Sequence, residues 1–252
     1  MYYRTLKRTL AALASTLFIS GALSTSGQSI IFDDFNVDEG HFTSAIGASG
    51  TTVGEDPSST IDRITTDSPL EGAGHQQLVL VHDASATAFR LRHLSGGGAP
   101  ASNNAFTTSG GTDGFIGFYV KTTATGWETS INLDGPANVA GDMWGSTSVP
   151  IIADGAWHLY EWDLDASNWG SVPGIFTQTT GPLPDRSQTI DSIYFRDLDG
   201  STGPTATIYF DFAAKSASGS IASLVPEPST YAMFALGLAG FAGCRRLKLK
   251  KR

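Results

Sequence analysis

The chain has 252 residues, 16 Lys and Arg against 24 Asp and Glu, and a single cysteine, Cys244. Nine of the cations crowd the two ends, so residues 28–224 hold seven cations against 23 acids and carry a formal charge near −16. That surplus excludes nucleic-acid binding, which needs a basic surface to displace counterions, and leaves a cysteine-free segment long enough for one substantial core but with no disulfide to support it.

In chain order, Arg4, Lys7 and Arg8 form a positive n-region, Leu10 to Leu23 an apolar stretch, and small residues run from Ser24 to Gly27. This order predicts a signal peptide over residues 1–27, cut near Gly27.

From residue 28 the pattern alternates with period two and is broken by Gly, Asp, Asn, Ser or Pro. Strands are predicted at Ile30–Phe35, Gln77–His82, Phe89–Leu94, Phe115–Lys121, Glu128–Leu133, Trp157–Leu164, Thr189–Phe195 and Thr207–Ala213. Loops such as 96–100 and 110–114 are too Gly-rich to be elements. No window between the termini shows a helical stripe. The expected fold is all-β: a two-sheet antiparallel sandwich, a jelly roll, over residues 28–215, with 216–224 as linker.

Binding a sugar needs aromatic platforms and polar side chains on one exposed face or loop cluster. Trp127, Trp144 and Trp169 lie in or beside Gly-, Asn- and Ser-rich loops. Glu128, Ser130, Asn132 and Asp134 alternate with Thr129, Ile131 and Leu133, so one strand presents a polar row, and Arg90 and Arg92 present another. Trp127, Glu128, Asn132, Trp144, Trp169, Arg90 and Arg92 are therefore candidate ligand contacts. A polar row is also what an antiparallel sheet shows to water, and both readings stand at this point.

Asp154-Gly155-Ala156-Trp157-His158 starts a strand in which Tyr160, Trp162 and Leu164 share one face and Leu159, Glu161 and Asp163 the other. Asp154-Gly155 makes the turn; Trp157 and Trp162 read as core and His158 as a structural histidine. The segment resembles the strand start common in jelly-roll and laminin-G-like sandwiches of secreted bacterial proteins.

Ile31-Phe32-Asp33-Asp34-Phe35 opens the domain and Ile208-Tyr209-Phe210-Asp211-Phe212 closes it. The pair is similar to the first and last strands of non-catalytic carbohydrate-binding modules with a jelly-roll fold. What the resemblance implies is that these strands are neighbours and that acids from both ends hold a structural calcium. Asp34 and Asp211 occupy the matching places, with Asp33 and Glu39 as further oxygens. Acids at strand edges facing water account for the same residues.

Enzyme signatures are missing: there is no Gly-x-Ser-x-Gly, no His-Glu-x-x-His and no exported cysteine. His75, His82, His93 and His158 are scattered without metal-ligand spacing. So many acids always allow some pair at glycosidase distance, which makes any chosen pair uninformative.

The tail reads Val225-Pro226-Glu227-Pro228, then an apolar run from Tyr231 to Gly243, then a basic octet from Arg245 to Arg252. Pro226 and Pro228 cannot continue a helix backwards. Residues 229–247 would give roughly 28 Å of helix against a bilayer core of about 30 Å. Arg245 and Arg246 would snorkel to the interface, and the basic cluster marks a cytoplasmic flank. The three-part order over residues 225–252 resembles the PEP-CTERM sorting signal of Gram-negative bacteria that make extracellular polysaccharide. That resemblance implies an exosortase-type membrane protease as partner, with Val225, Pro226, Glu227, Pro228, Arg245 and Arg246 carrying the signal. The expected protein is an exported, non-catalytic surface or matrix component that associates with extracellular polysaccharide. A polysaccharide-active hydrolase or lyase on the same fold, or a purely structural matrix component, are the alternatives.

Overall fold

A computed structural model describes residues 28–37, 40–96, 105–111, 113–135, 142–198 and 205–225. Outside them lie the expected signal peptide, Glu39, Pro226, Glu227, Pro228, Arg245, Arg246 and the expected membrane helix.

Twelve strands follow one another: β1 (Ile30–Asp33), β2 (Thr60–Ile64), β3 (His75–Leu80), β4 (Arg90–Leu94), β5 (Ala105–Thr108), β6 (Phe115–Thr122), β7 (Trp127–Asp134), β8 (Trp144–Gly145), β9 (Val149–Pro150), β10 (Trp157–Asp163), β11 (Arg186–Asp197) and β12 (Ala206–Ser216). Two short 3₁₀ turns, Ile46–Ala48 and Ile221–Leu224, are the helical elements among the described residues. The strands make an all-β, two-sheet antiparallel sandwich of jelly-roll type. The first sheet runs β10-β6-β12-β3-β2, with β1 on β12; the second runs β4-β11-β7-β8, with β5 on β11 and β9 on β7.

Alternation explains the division of each strand. On β6, Ile116, Phe118 and Val120 face the other sheet; on β11, Ile193 and Phe195 answer them. The core is rich in aromatic rings, with Phe118 within 5.2 Å of Phe210 and 5.6 Å of Trp162. Tyr160, Trp162 and Leu164 are buried as their shared face predicts.

Trp157 departs from its expected place. It is half-buried on the outer face of the first sheet, where its indole donates to the Ser68 carbonyl (3.0 Å) and the Lys121 ammonium lies 4.9 Å from its ring. The reason is parity: it stands an odd number of residues from Tyr160 and so points away from the core.

β12 carries a bulge between Asp211 and Ala214. Phe212 takes a positive φ of 52° there, which turns it to join Ala214 and Ile221 in a smaller apolar cluster outside the first sheet. Leu70, Tyr119, Leu159, Leu224 and Val225 pack on that cluster. Ser220 caps the second 3₁₀ turn, and the Ile221 amide donates to Glu161 Oε2 at 2.9 Å. The segment 216–224, expected as a linker, thus lies packed along the sheet.

Candidate functional site

The outward faces of β4, β11 and β7 bring four of the expected contact residues together. Register places Arg90 opposite Arg196 and Arg92 opposite Tyr194 on one side of β11. On the other side Arg196 meets Glu128, Tyr194 meets Ser130, and Ser192 meets Asn132. Like charges directly opposite one another are unfavourable, and acids offset them here. Arg196 pairs with Glu128 (2.5 Å) and Arg92 with Asp191 (2.5 and 2.9 Å). Arg90 instead donates to the Thr51 carbonyl at 3.0 Å, so the charges of the face nearly cancel. In a segment this acidic, that near-neutral strip is the exception.

The face is not an open wall. All eight residues of β7 are buried, which corrects the expectation of an exposed polar row. Alternation puts Glu128, Ser130 and Asn132 on the outside of the sheet, but residues 169–181 then cross over that outside. Val172 lies against Gly145, whose missing side chain also leaves room for the Asn132 amide and the ring of Phe176. The Arg90 guanidinium occupies the space beside Gly174. A recess of about 450 Å³ remains between crossing and sheet, lined by Glu128, Arg196, Ser146, Thr147, Asn168 and Ser171 among others. Asn132 donates to Ser192 Oγ at 2.8 Å, and that hydroxyl donates to Asp191 at 2.6 Å. Asn132 Oδ1 and Ser130 Oγ have no hydrogen-bond partner among the described residues. Burial, with Asp191 nearby, holds the Asp134 carboxyl above its ordinary range.

The tryptophans correct the expectation most. Trp127 is 6% exposed and stacks edge-on to Phe89 in the core (5.4 Å); Trp169 is 1% exposed with its indole donating to the Asp163 carbonyl at 3.0 Å. Trp144 is half-buried, opposite Leu133 and packed on the core. None is an exposed platform, because a glycine-rich neighbourhood lets an indole fold inward as readily as outward. The aromatic residue that does sit on the polar face is Tyr194, fully buried and outside the main core. Its parity on β11 was readable in the sequence; its position between arginines needed the register.

A second group of interest lies beside the bulge. As the resemblance implied, β1 pairs with β12, Ile30 standing opposite Lys215. Asp211 is fully buried and accepts the amides of Leu70 (3.0 Å) and Phe212 (2.8 Å). Burial, joined by repulsion from Glu71 and Asp34, pushes its carboxyl up to about 8. Asn36 links the neighbours, donating from its backbone to Asp34 and from its side chain to Glu71 (both 3.0 Å). Hard oxygens around a reluctant buried carboxylate suit calcium chemically. Among the described residues no three acidic, His or Cys side chains form a ready metal group, so a cation there would draw further oxygens from backbone or water.

At the other end of the chain, residues 224–246 match the PEP-CTERM protein-sorting motif. The chain carries a PEP-CTERM sorting signal. The first residues of that signal, Leu224 and Val225, are the ones packed on the outer cluster of the first sheet. Among the described residues no helix is long and apolar enough to cross a membrane. No curated protein matches the chain. Among solved structures it is similar to the family 11 carbohydrate-binding module of the cellulosomal cellulase Lic26A-Cel5E of Clostridium thermocellum, at 15% identity over 77% of this chain and 96% of that one, TM-score 0.40. It is also similar to a family 11 module from Clostridium thermocellum in complex with a β-1,3-1,4-mixed-linked tetrasaccharide (14% identity, 76% and 96%, TM-score 0.40). A third is an exo-β-agarase (12% identity, 75% of this chain and 25% of that one, TM-score 0.37).

Proposed function

We propose that this protein is an exported, non-catalytic cell-surface or matrix component that associates with polysaccharide through the outer face of its second sheet. An exosortase-type protease then cuts it within the PEP-CTERM signal. The observation that carries the reading is that signal, matched over residues 224–246 immediately behind a folded all-β domain. The choice of ligand is supported by the polar face: buried hydroxyl, amide and guanidinium groups in a nearly charge-balanced strip suit a hydroxyl-rich, uncharged chain better than an ion. Glu227→Ala should leave uncut precursor in the inner membrane, read by mass spectrometry of the C-terminus; a mature wild-type protein still ending at Arg252 contradicts processing. Affinity electrophoresis of the full chain through neutral and anionic polysaccharide gels tests association, and unretarded migration in every gel contradicts it.

The same reading includes a structural calcium at Asp34 and Asp211. It would join the two ends of a domain without disulfides and stabilise it by RT ln(1 + [L]/Kd), about 2.7 kcal/mol at a hundredfold excess over Kd. Melting should fall in chelator and recover with calcium more than with magnesium, whose octahedral geometry is stricter. Asp211→Asn should abolish the difference. A wild-type melting curve unmoved by chelator removes the ion.

A further inference from the structure

The segment crossing the polar face is built unlike the rest of the sandwich. It closes on itself: Ser171 exchanges hydrogen bonds with Gln178 (2.7 and 2.9 Å), and Val172 accepts from Ile175 (3.0 Å) and Phe176 (3.2 Å). Its roots are backbone pairs at two glycines, Gly170 with Gly145 (2.8 and 2.9 Å) and Gly181 with Trp169 (2.8 Å). Between those roots, one hydrogen bond it receives from the face is long, Tyr194 hydroxyl to Pro173 carbonyl at 3.5 Å, at the outer limit for such a bond. What it lays on the face is Val172 and Phe176, two apolar side chains close to Asn132 Oδ1, which has no partner among the described residues. An apolar cover cannot satisfy buried acceptors, and each one left so is unfavourable. A compact loop with its own internal bonds, small-residue roots and a poorly matched underside has the makings of a rigid flap, able to leave without unfolding the sheet.

We propose that residues 170–181 are a lid, swinging on Gly170 and Gly181, and that its displacement uncovers Tyr194 as the aromatic platform of an extended groove for a neutral polysaccharide chain. With the lid away, the ring of Tyr194 lies between Arg92 of β4 on one side and Ser130 of β7 on the other, with Arg196 two residues along its own strand and Arg90 opposite Arg196. A sugar ring stacks on it while its hydroxyls reach the amide and hydroxyl groups the lid leaves unanswered. The occupant rests on the polysaccharide reading above; the lid rests on the geometry alone.

The test opens the lid at its own contact point. In the full chain, Gly145→Val places a side chain in the space that Val172 now fills, and a second variant replaces residues 171–180 with a short Gly-Ser linker. Acetylation of the Tyr194 hydroxyl by N-acetylimidazole, mapped by mass spectrometry, reads the lid without any ligand. Tyr194 should be modified at least tenfold faster in both variants than in the wild type, with the cooperative melting of the sandwich retained; equal rates, or loss of that transition in both variants, overturn the lid. Retardation by mixed-linked β-glucan and by agarose reads the groove. At least a tenfold loss of retention in Tyr194→Ala is expected, and unchanged retention there overturns the groove. If Tyr194 responds in the variants while no gel retards the wild type, the lid stands and the polysaccharide reading falls.

Discussion

Trp162 shows how much a single side chain does in this domain. Its ring packs on Phe118 while its indole donates to the Thr147 carbonyl at 2.8 Å, joining the core to the loop ahead of β9. Trp162→Ala should therefore cost about 3–5 kcal/mol, measured by denaturant unfolding; an unchanged midpoint would mean the indole is dispensable to the core. His93 is the buried counterpart on β4. Its Nε2 donates to Gln76 Oε1 (2.6 Å), whose amide donates in turn to the Phe42 carbonyl (2.7 Å), and burial holds the ring's pKa down at about 3. The face of each such residue was legible from parity. What parity does not say is whether a residue that leaves the core meets water. Asn132 and Glu128 point outward as expected and are still buried, because their cover comes from residues some forty positions later in the chain.

At the scale of elements, strong alternation marked the long strands; the structure extends four of the eight, β6, β7, β11 and β12, and ends β1, β4 and β10 slightly shorter. β2 escaped notice because its residues are mostly exposed and alternate weakly, and β8 and β9 because two residues carry no period. The 3₁₀ turn Ile221–Leu224 was unreadable for another reason. Ser, Ala and Gly around it look like linker, and only the bulge at Asp211, which pushes Phe212 outward, creates the surface it packs on. Ile221 is fully buried in that small cluster. Ile221→Ala should cost about 2 kcal/mol, the low end for such a truncation at a site able to collapse. Limited proteolysis should then cut between residues 216 and 225 faster than in the wild type. Unchanged cleavage would mean the turn is held by its Glu161 bond rather than by packing.

For the whole molecule, pH acts through two opposed groups of residues. His93, and His75 with a pKa held down at about 4 by burial and the nearby Lys121, are neutral when folded and take up protons when unfolded. Their contribution is complete above the ordinary histidine value of 6.5 and declines as pH falls below it, by about 1.4 kcal/mol per pH unit for His93 until its folded value is reached. Asp211 runs the other way: its raised value makes the folded state less favourable as pH rises from its ordinary 3.8 toward about 8, unless a cation offsets it. In chelator, stability should peak between these limits, and His93→Gln should flatten the acid limb. An acid limb that persists unchanged in that variant assigns the loss to other groups.

The pairing of first and last strands has a mechanical consequence. Ile30 stands opposite Lys215, and Ser29 Oγ accepts the Ala217 amide at 3.0 Å, so both ends of the domain leave from the same end of one ladder. Tension between residues 28 and 225 would load those pairs singly, as a zip opens, instead of straining them together in shear. Force spectroscopy with handles at those positions should show β1 peeling in an early small step before the sandwich ruptures. A domain tethered by its C-terminal side alone passes no tension through this ladder, and the seam that is weakest under pulling from both ends then bears nothing.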